Sequence, residues 1–115
     1  MGDTVARFLA LLESKGLKVF AVIDQRAEAR AVGLDLRETM LVLFGNPAAG
    51  TGVMDAAPLA ALDLPLKVLA WSDGSGATQV SYTEPSALAA RYGLALDAVA
   101  PLEGIHGLTE ALVAP

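Results

Sequence analysis

From Thr39 to Met54 the chain carries no charged side chain, and no other stretch limits its fold so tightly. A charge-free run of this kind raises the question of a membrane span, which needs about 20 consecutive apolar residues. Gly45, Asn46, Pro47, Gly50 and Gly52 interrupt it, and a helix would break there before crossing a bilayer. Thr39–Phe44 is left as a continuous apolar strand, of the kind that lies inside a sheet. A tight turn then leads into a short helix, with Asn46 suited to cap it and Pro47 at the first helical position, where no N–H is needed. Near the N-terminus, Phe8–Leu12 lies between Arg7 and Glu13 and is too short for a span or a signal peptide. The expectation is a soluble, cytoplasmic chain with no membrane partner.

The apolar residues must therefore go into a core. Of the 115 residues 54% are hydrophobic and 18% charged, enough for one domain over residues 1–115 that folds without staples. The apolar surplus in so short a chain points further, to a symmetric homodimer. Val5, Phe8, Leu9 and Leu12 recur at helical spacing behind Asp3 or Thr4 as a cap, and Gly16 ends that helix. Leu17–Ile23 reads as a strand, Asp24–Val32 as a short helix closed by Gly33, and Pro58–Asp63 as another turn or two of helix. Leu64–Trp71 and Ala77–Tyr82 read as strands joined by the Ser72–Gly76 hairpin loop. A helix capped by Thr83 or Ser86 and ended by Gly93 follows. The tail from Asp97 holds one or two helical segments, interrupted by Pro101, Gly104 and Gly107.

The order α-β-α-β-α-β-β-α-α, with its last two strands necessarily antiparallel, predicts an α+β fold. Its economical form is a single four-stranded, mainly antiparallel sheet with helices packed mainly on one face.

Several chemistries are excluded by what the chain lacks. It has no cysteine and one histidine, His106, so disulfides, thiolate chemistry and a zinc site drop out, and no metal or cofactor is expected. His106, between glycines near the C-terminus, reads as a surface or cap residue. Eight basic residues against thirteen acidic ones give a net charge of −5 with no basic stripe, which argues against nucleic acid. Gly45 to Thr51 has the glycine spacing and the strand-to-helix setting of a phosphate-binding loop, but no lysine follows Gly50. No nucleotide is expected there.

A resemblance to a known family enters through Gly33-Leu34-Asp35-Leu36, Leu43-Phe44-Gly45-Asn46-Pro47 with Gly50-Thr51, and Leu62-Asp63-Leu64-Pro65-Leu66-Lys67. It continues through the Asp73–Gly76 hairpin, Ser81-Tyr82 and Arg91-Tyr92-Gly93-Leu94. From Asp24 to Leu94 the chain resembles the bacterial family catalogued as domain of unknown function 302. The resemblance implies a small antiparallel α+β domain with TATA-binding-protein-like topology, usually a homodimer, and no known reaction. Two positions depart from the family pattern. Gln25 stands where a histidine is common, and Ala48 and Ala49 fill a loop that often holds a lysine.

The candidate site gathers around the Gly45–Thr51 turn and Asp63-Leu64-Pro65. Asn46, Thr51, Asp63 and Tyr82 are its expected ligand-binding residues, for a small apolar or carboxylated molecule. Arg91 could hold such a carboxylate, or pair with Glu84 or Glu28. Asp63 also reads as a backbone cap, Asp24 as an N-cap and Asp73 as a turn residue. Two other classes stay open. One is a metal-free enzyme using Asp63, Tyr82 or Asp24 as acid–base groups; the other is a scaffold that binds partners through its sheet.

Overall fold

The computed structural model describes residues 1–113; the last two residues of the expected domain lie outside the described residues. The order is α1 (Gly2–Ser14), β1 (Lys18–Asp24), α2 (Gln25–Ala31), β2 (Thr39–Gly45), α3 (Pro47–Ala56), a 3-10 helix (Pro58–Leu62), β3 (Leu66–Ser72) and β4 (Thr78–Tyr82). Then come α4 (Pro85–Tyr92), a second 3-10 helix (Leu96–Leu102) and α5 (Gly104–Val113). The four strands form one sheet in the order β1-β2-β3-β4, antiparallel at every step. The fold is α+β as the element order predicts, and the sheet is antiparallel throughout.

Local chemistry accounts for most boundaries. Asp24 caps α2 by accepting from the Ala27 N–H at 2.9 Å, and Asn46 caps α3 by accepting from the Ala48 N–H at 3.0 Å. Gly93 ends α4 at φ 65°, a left-handed conformation that a side chain would strain. Several expected boundaries need correction; β1 runs Lys18–Asp24 rather than Leu17–Ile23, and α2 ends at Ala31. The cap of α1 is Met1, because the carbonyl of Met1 already takes the N–H groups of Thr4 and Val5. Asp3 thus falls in the first turn, where its charge faces the positive helix end. Neither Thr83 nor Ser86 caps α4; Glu84 does, without a side-chain bond, and Pro85 opens the helix. β3 starts at Leu66 rather than Leu64, since Pro65 has no N–H to give a ladder. β4 starts at Thr78, because the N–H of Ala77 is taken by the Asp73 carboxylate at 3.1 Å.

The two faces of the sheet differ sharply. Val42, Phe44, Leu66, Val68 and Ala70 point into the core. Against them pack Phe8 and Leu12 of α1, Leu88 of α4, Val99 of the second 3-10 helix and Ile105 of α5. Phe8 and Phe44 meet edge to face with ring centroids 5.3 Å apart. The opposite face has no such layer. The register sets Ile23, Leu41, Leu69 and Ser81 in one row, with Leu43 and Trp71 on the same face, and none of these belongs to the buried cluster. All of the helices that bury side chains contribute them to the first face; α2 buries none.

Candidate functional site

A half-open cavity of about 380 Å³ lies at the end of the sheet where β1 and β3 begin and β2 ends. The first turns of α3 and α5 complete its wall. Leu17, Phe20, Phe44, Met54, Leu66 and Ile105 give it an apolar lining, and Asn46 and Thr51 are its polar side chains. Phe20 reaches it through a β-bulge. The pairing steps from Val19–Phe44 to Ala21–Leu43, so Phe20 has no partner across the ladder. A bulge of this kind re-aims one side chain out of the alternation.

Asn46 and Thr51 both have part of their hydrogen-bonding capacity committed. The Asn46 carbonyl oxygen serves the cap, which leaves its two amide N–H donors. The Thr51 hydroxyl donates to the carbonyl of Pro47 at 2.6 Å, which leaves its lone pairs. Leu64 and Pro65 also line the cavity.

Asp63 and Tyr82 do not join them; neither lines the cavity. Asp63 turns toward α4. Its carboxylate accepts from Arg91 at 2.8 Å and from the hydroxyl of Tyr92, and it makes no backbone cap. These two bonds, Tyr92 first and Arg91 second, hold the Asp63 carboxyl below the usual carboxylate range. The same carboxylate pushes the Tyr92 phenol up. Arg91 is therefore paired within the chain, with Asp63 rather than Glu84 or Glu28. The apolar neighbourhood of Leu62, Leu64 and Pro65 makes Asp63 a candidate site residue in the sequence; in the structure its side chain faces Arg91 and Tyr92 instead.

Tyr82 sits opposite Val68 on the helix-covered face, and its hydroxyl lies 2.6 Å from Nδ1 of His106 in α5. Nε2 of His106 in turn lies 2.8 Å from a carboxylate oxygen of Glu103. In the tautomer that donates Nε2–H to Glu103, Nδ1 accepts from the Tyr82 hydroxyl. This Tyr82–His106–Glu103 chain is absent from the sequence reading, which placed His106 alone at the surface. The spacing of Glu103 and His106 on adjoining helical turns was visible; the arrival of Tyr82 from β4 was not.

The other acidic residues have the local roles expected of them. Asp24 caps α2. Asp73 organises the hairpin, accepting from Ser75 and Ala77 N–H groups, the Ser75 hydroxyl and the Gln79 amide. Those bonds, with the Ser75 and Gln79 side chains first, lower its carboxyl to about 2. Among the described residues no three histidine, aspartate or glutamate side chains gather as a metal site requires, and no helix is long and apolar enough to cross a membrane.

Comparison with known proteins agrees on the fold and leaves the chemistry open. Residues 1–112 match the family described as "Domain of unknown function DUF302". A solved structure described as an uncharacterized conserved protein DUF302 from Bacillus stearothermophilus superposes with a TM-score of 0.80 at 19% identity. It covers 98% of this chain and 88% of that one. Among curated proteins, "Fluoride-specific ion channel FluC 1" of Brucella suis is 41% identical over 96 residues, as is the "Fluoride-specific ion channel FluC 2" of Brucella melitensis. The aligned stretch takes 84% of this chain but only 38% and 36% of those two proteins, so the chain spans little more than a third of the relatives it matches.

Proposed function

This chain belongs to the DUF302 family, and on that footing we propose that it is a binding module that takes a small, largely apolar molecule into the cavity at the end of its sheet. The cavity carries this reading. Its volume, about 380 Å³, lies within the range of small-molecule sites, and its wall is apolar apart from Asn46 and Thr51. A separate binding module also suits the Brucella relatives, where the matching stretch is a minor part of a protein named for a channel. The reading is tested by thermal unfolding against a panel of small apolar alcohols, phenols, amides and acids. A true ligand at about 100 times its Kd should stabilise the fold by about 2.7 kcal/mol. A panel in which no compound raises the Tm would sink the proposal.

A second reading concerns partners. The face bearing Ile23, Leu41, Leu43, Leu69 and Trp71, all half-buried and outside the core cluster, favours a contact between two copies of this chain, which would bury it fully in a symmetric interface. Sedimentation equilibrium should then give a dimer at micromolar concentration, and Leu69→Lys should give a folded monomer. A wild-type monomer would refute it. The acid–base enzyme has less support, because Asp24, Asp63 and Tyr82 each bond to a different neighbour and none lines the cavity.

A further inference from the structure

Resting on the binding reading, we infer that the ligand of this cavity is an uncharged molecule with a hydroxyl or amide head, held in space that Gly45, Gly50 and Gly104 leave open. Among the described residues no lysine, arginine, histidine or carboxylate lines the cavity. A charged group drawn into it would lose its water and find no counter-charge. The pair best placed by chemistry to receive a carboxylate, Arg91 with Tyr92, lies outside the lining and is already closed on Asp63. An internal carboxylate thus occupies the seat that an acidic ligand would need.

The polar atoms that do line the cavity suit a neutral head. Asn46 offers amide N–H donors once its oxygen has capped α3, and Thr51 offers hydroxyl lone pairs once its proton is given to Pro47. An alcohol, phenol or primary amide both accepts and donates, so it satisfies both side chains; a carboxylate can only accept.

The glycines bear on size. Gly45, Gly50 and Gly104 all line the cavity, and none has the left-handed backbone that requires glycine. A Cβ at Gly45 or Gly104 would meet nothing within 4 Å, and one at Gly50 only the Met54 methyl at 3.9 Å. Neither backbone conformation nor crowding therefore demands glycine at these positions. Gly50 stands in the first turn of α3, where glycine is the poorest helix former apart from proline. What the missing side chains provide is room. About 380 Å³ holds roughly a dozen waters at about 30 Å³ each, or a ligand on the order of 10–15 non-hydrogen atoms.

The test compares phenylbutanol with phenylbutanoate, matched in body and different in charge, by calorimetric titration of the full chain and of two variants, Gly50→Leu and the milder Gly45→Ala. Phenylbutanol should bind roughly tenfold or more tighter than the carboxylate at neutral pH. Binding of the acid should strengthen as the pH is lowered toward its own pKa, because the neutral form then enters. Gly50→Leu, checked for native circular dichroism, should lose the alcohol, and Gly45→Ala should weaken it. If the carboxylate binds as tightly as the alcohol, the uncharged ligand is refuted while the binding module stands. If both folded glycine variants bind the alcohol as the parent does, the ligand does not use this cavity, and the inference falls. If neither compound binds and the wider panel is silent too, the binding reading falls with it.

Discussion

Truncating Phe44 to alanine tests whether the cavity is open space beside the core or a gap sealed within it. Phe44 is 1% exposed, packs edge to face on Phe8, and forms part of the cavity wall; Phe8 is equally buried but does not line the cavity. Removing either ring leaves roughly 100 Å³, worth about 2.4 kcal/mol at about 24 cal/mol per Å³ if the void stays closed. Added to the lost transfer free energy, Phe8→Ala should cost about 4–5 kcal/mol, the upper part of the usual range for such changes. At Phe44 the new space joins a half-open cavity that water already reaches, so part of the void penalty is relieved. The expected cost is about 3 kcal/mol. Phe44→Leu keeps most of the bulk and loses the ring contact, for about 1–1.5 kcal/mol. Urea unfolding followed by circular dichroism measures all three; at an m-value of about 1.5 kcal/mol/M, Phe44→Ala should lower the midpoint by about 2 M. The reasoning is refuted if Phe44→Ala costs as much as or more than Phe8→Ala. That result would mean the space behind Phe44 is closed to water.

Three more expectations follow from the hydrogen bonds. Asp73, lowered to about 2 from an ordinary 3.8, supports the hairpin fully above the ordinary value and loses that support as the pH falls through about 2. An NMR titration of its carboxyl carbon should show a midpoint near that lower value, and Asp73→Ala, which removes the acceptor, should leave the Ser75 amide unprotected; a midpoint near 3.8 would be inconsistent with the bonds described. Asp63→Asn should bring the Tyr92 phenol down toward its ordinary value, read from tyrosinate absorbance, with an unchanged titration counting against the clasp. In the wild type the Tyr92 contribution is complete below pH 10 and fades as the pH rises through its raised pKa, whereas that of Asp63 fades as the pH falls. Asn46→Ala should cost about 1 kcal/mol through the lost cap, while Asn46→Asp should stay within a few tenths. A larger loss in the second variant would show that the Asn46 amide N–H groups matter to the fold.

Local rules were enough for much of this chain because local forces set it. The charge-free run with Gly45, Asn46 and Pro47 behind it specified a strand, a cap and a helix start, since each depends on residues only a few positions apart. The same holds for Asp24 on α2, Asp73 in the hairpin and Gly93 after α4. Where strand boundaries shift, the cause is local too. Pro65 could not join β3, and the Asp73 carboxylate claimed the N–H of Ala77 before β4 could.

The candidate site divides along the same line. Asn46 and Thr51 reach the cavity because α3 starts directly after β2, a placement written in consecutive residues. Asp63 and Tyr82 were grouped with them on sequence proximity and residue type, but side-chain direction is decided by packing. Asp63 faces α4 and finds Arg91 and Tyr92; Tyr82 faces α5 and finds His106. The sequence by itself determined the order of elements, the α+β class and the turn that carries Asn46, through hydrophobic periodicity, capping and the backbone limits of glycine and proline. Only the tertiary structure decided that a bulge turns Phe20 into the cavity, that Asp63 and Tyr82 face other partners, and that among the described residues no charge lines it. Those outcomes depend on contacts between segments far apart in the chain, and such contacts leave no periodic signal in the sequence.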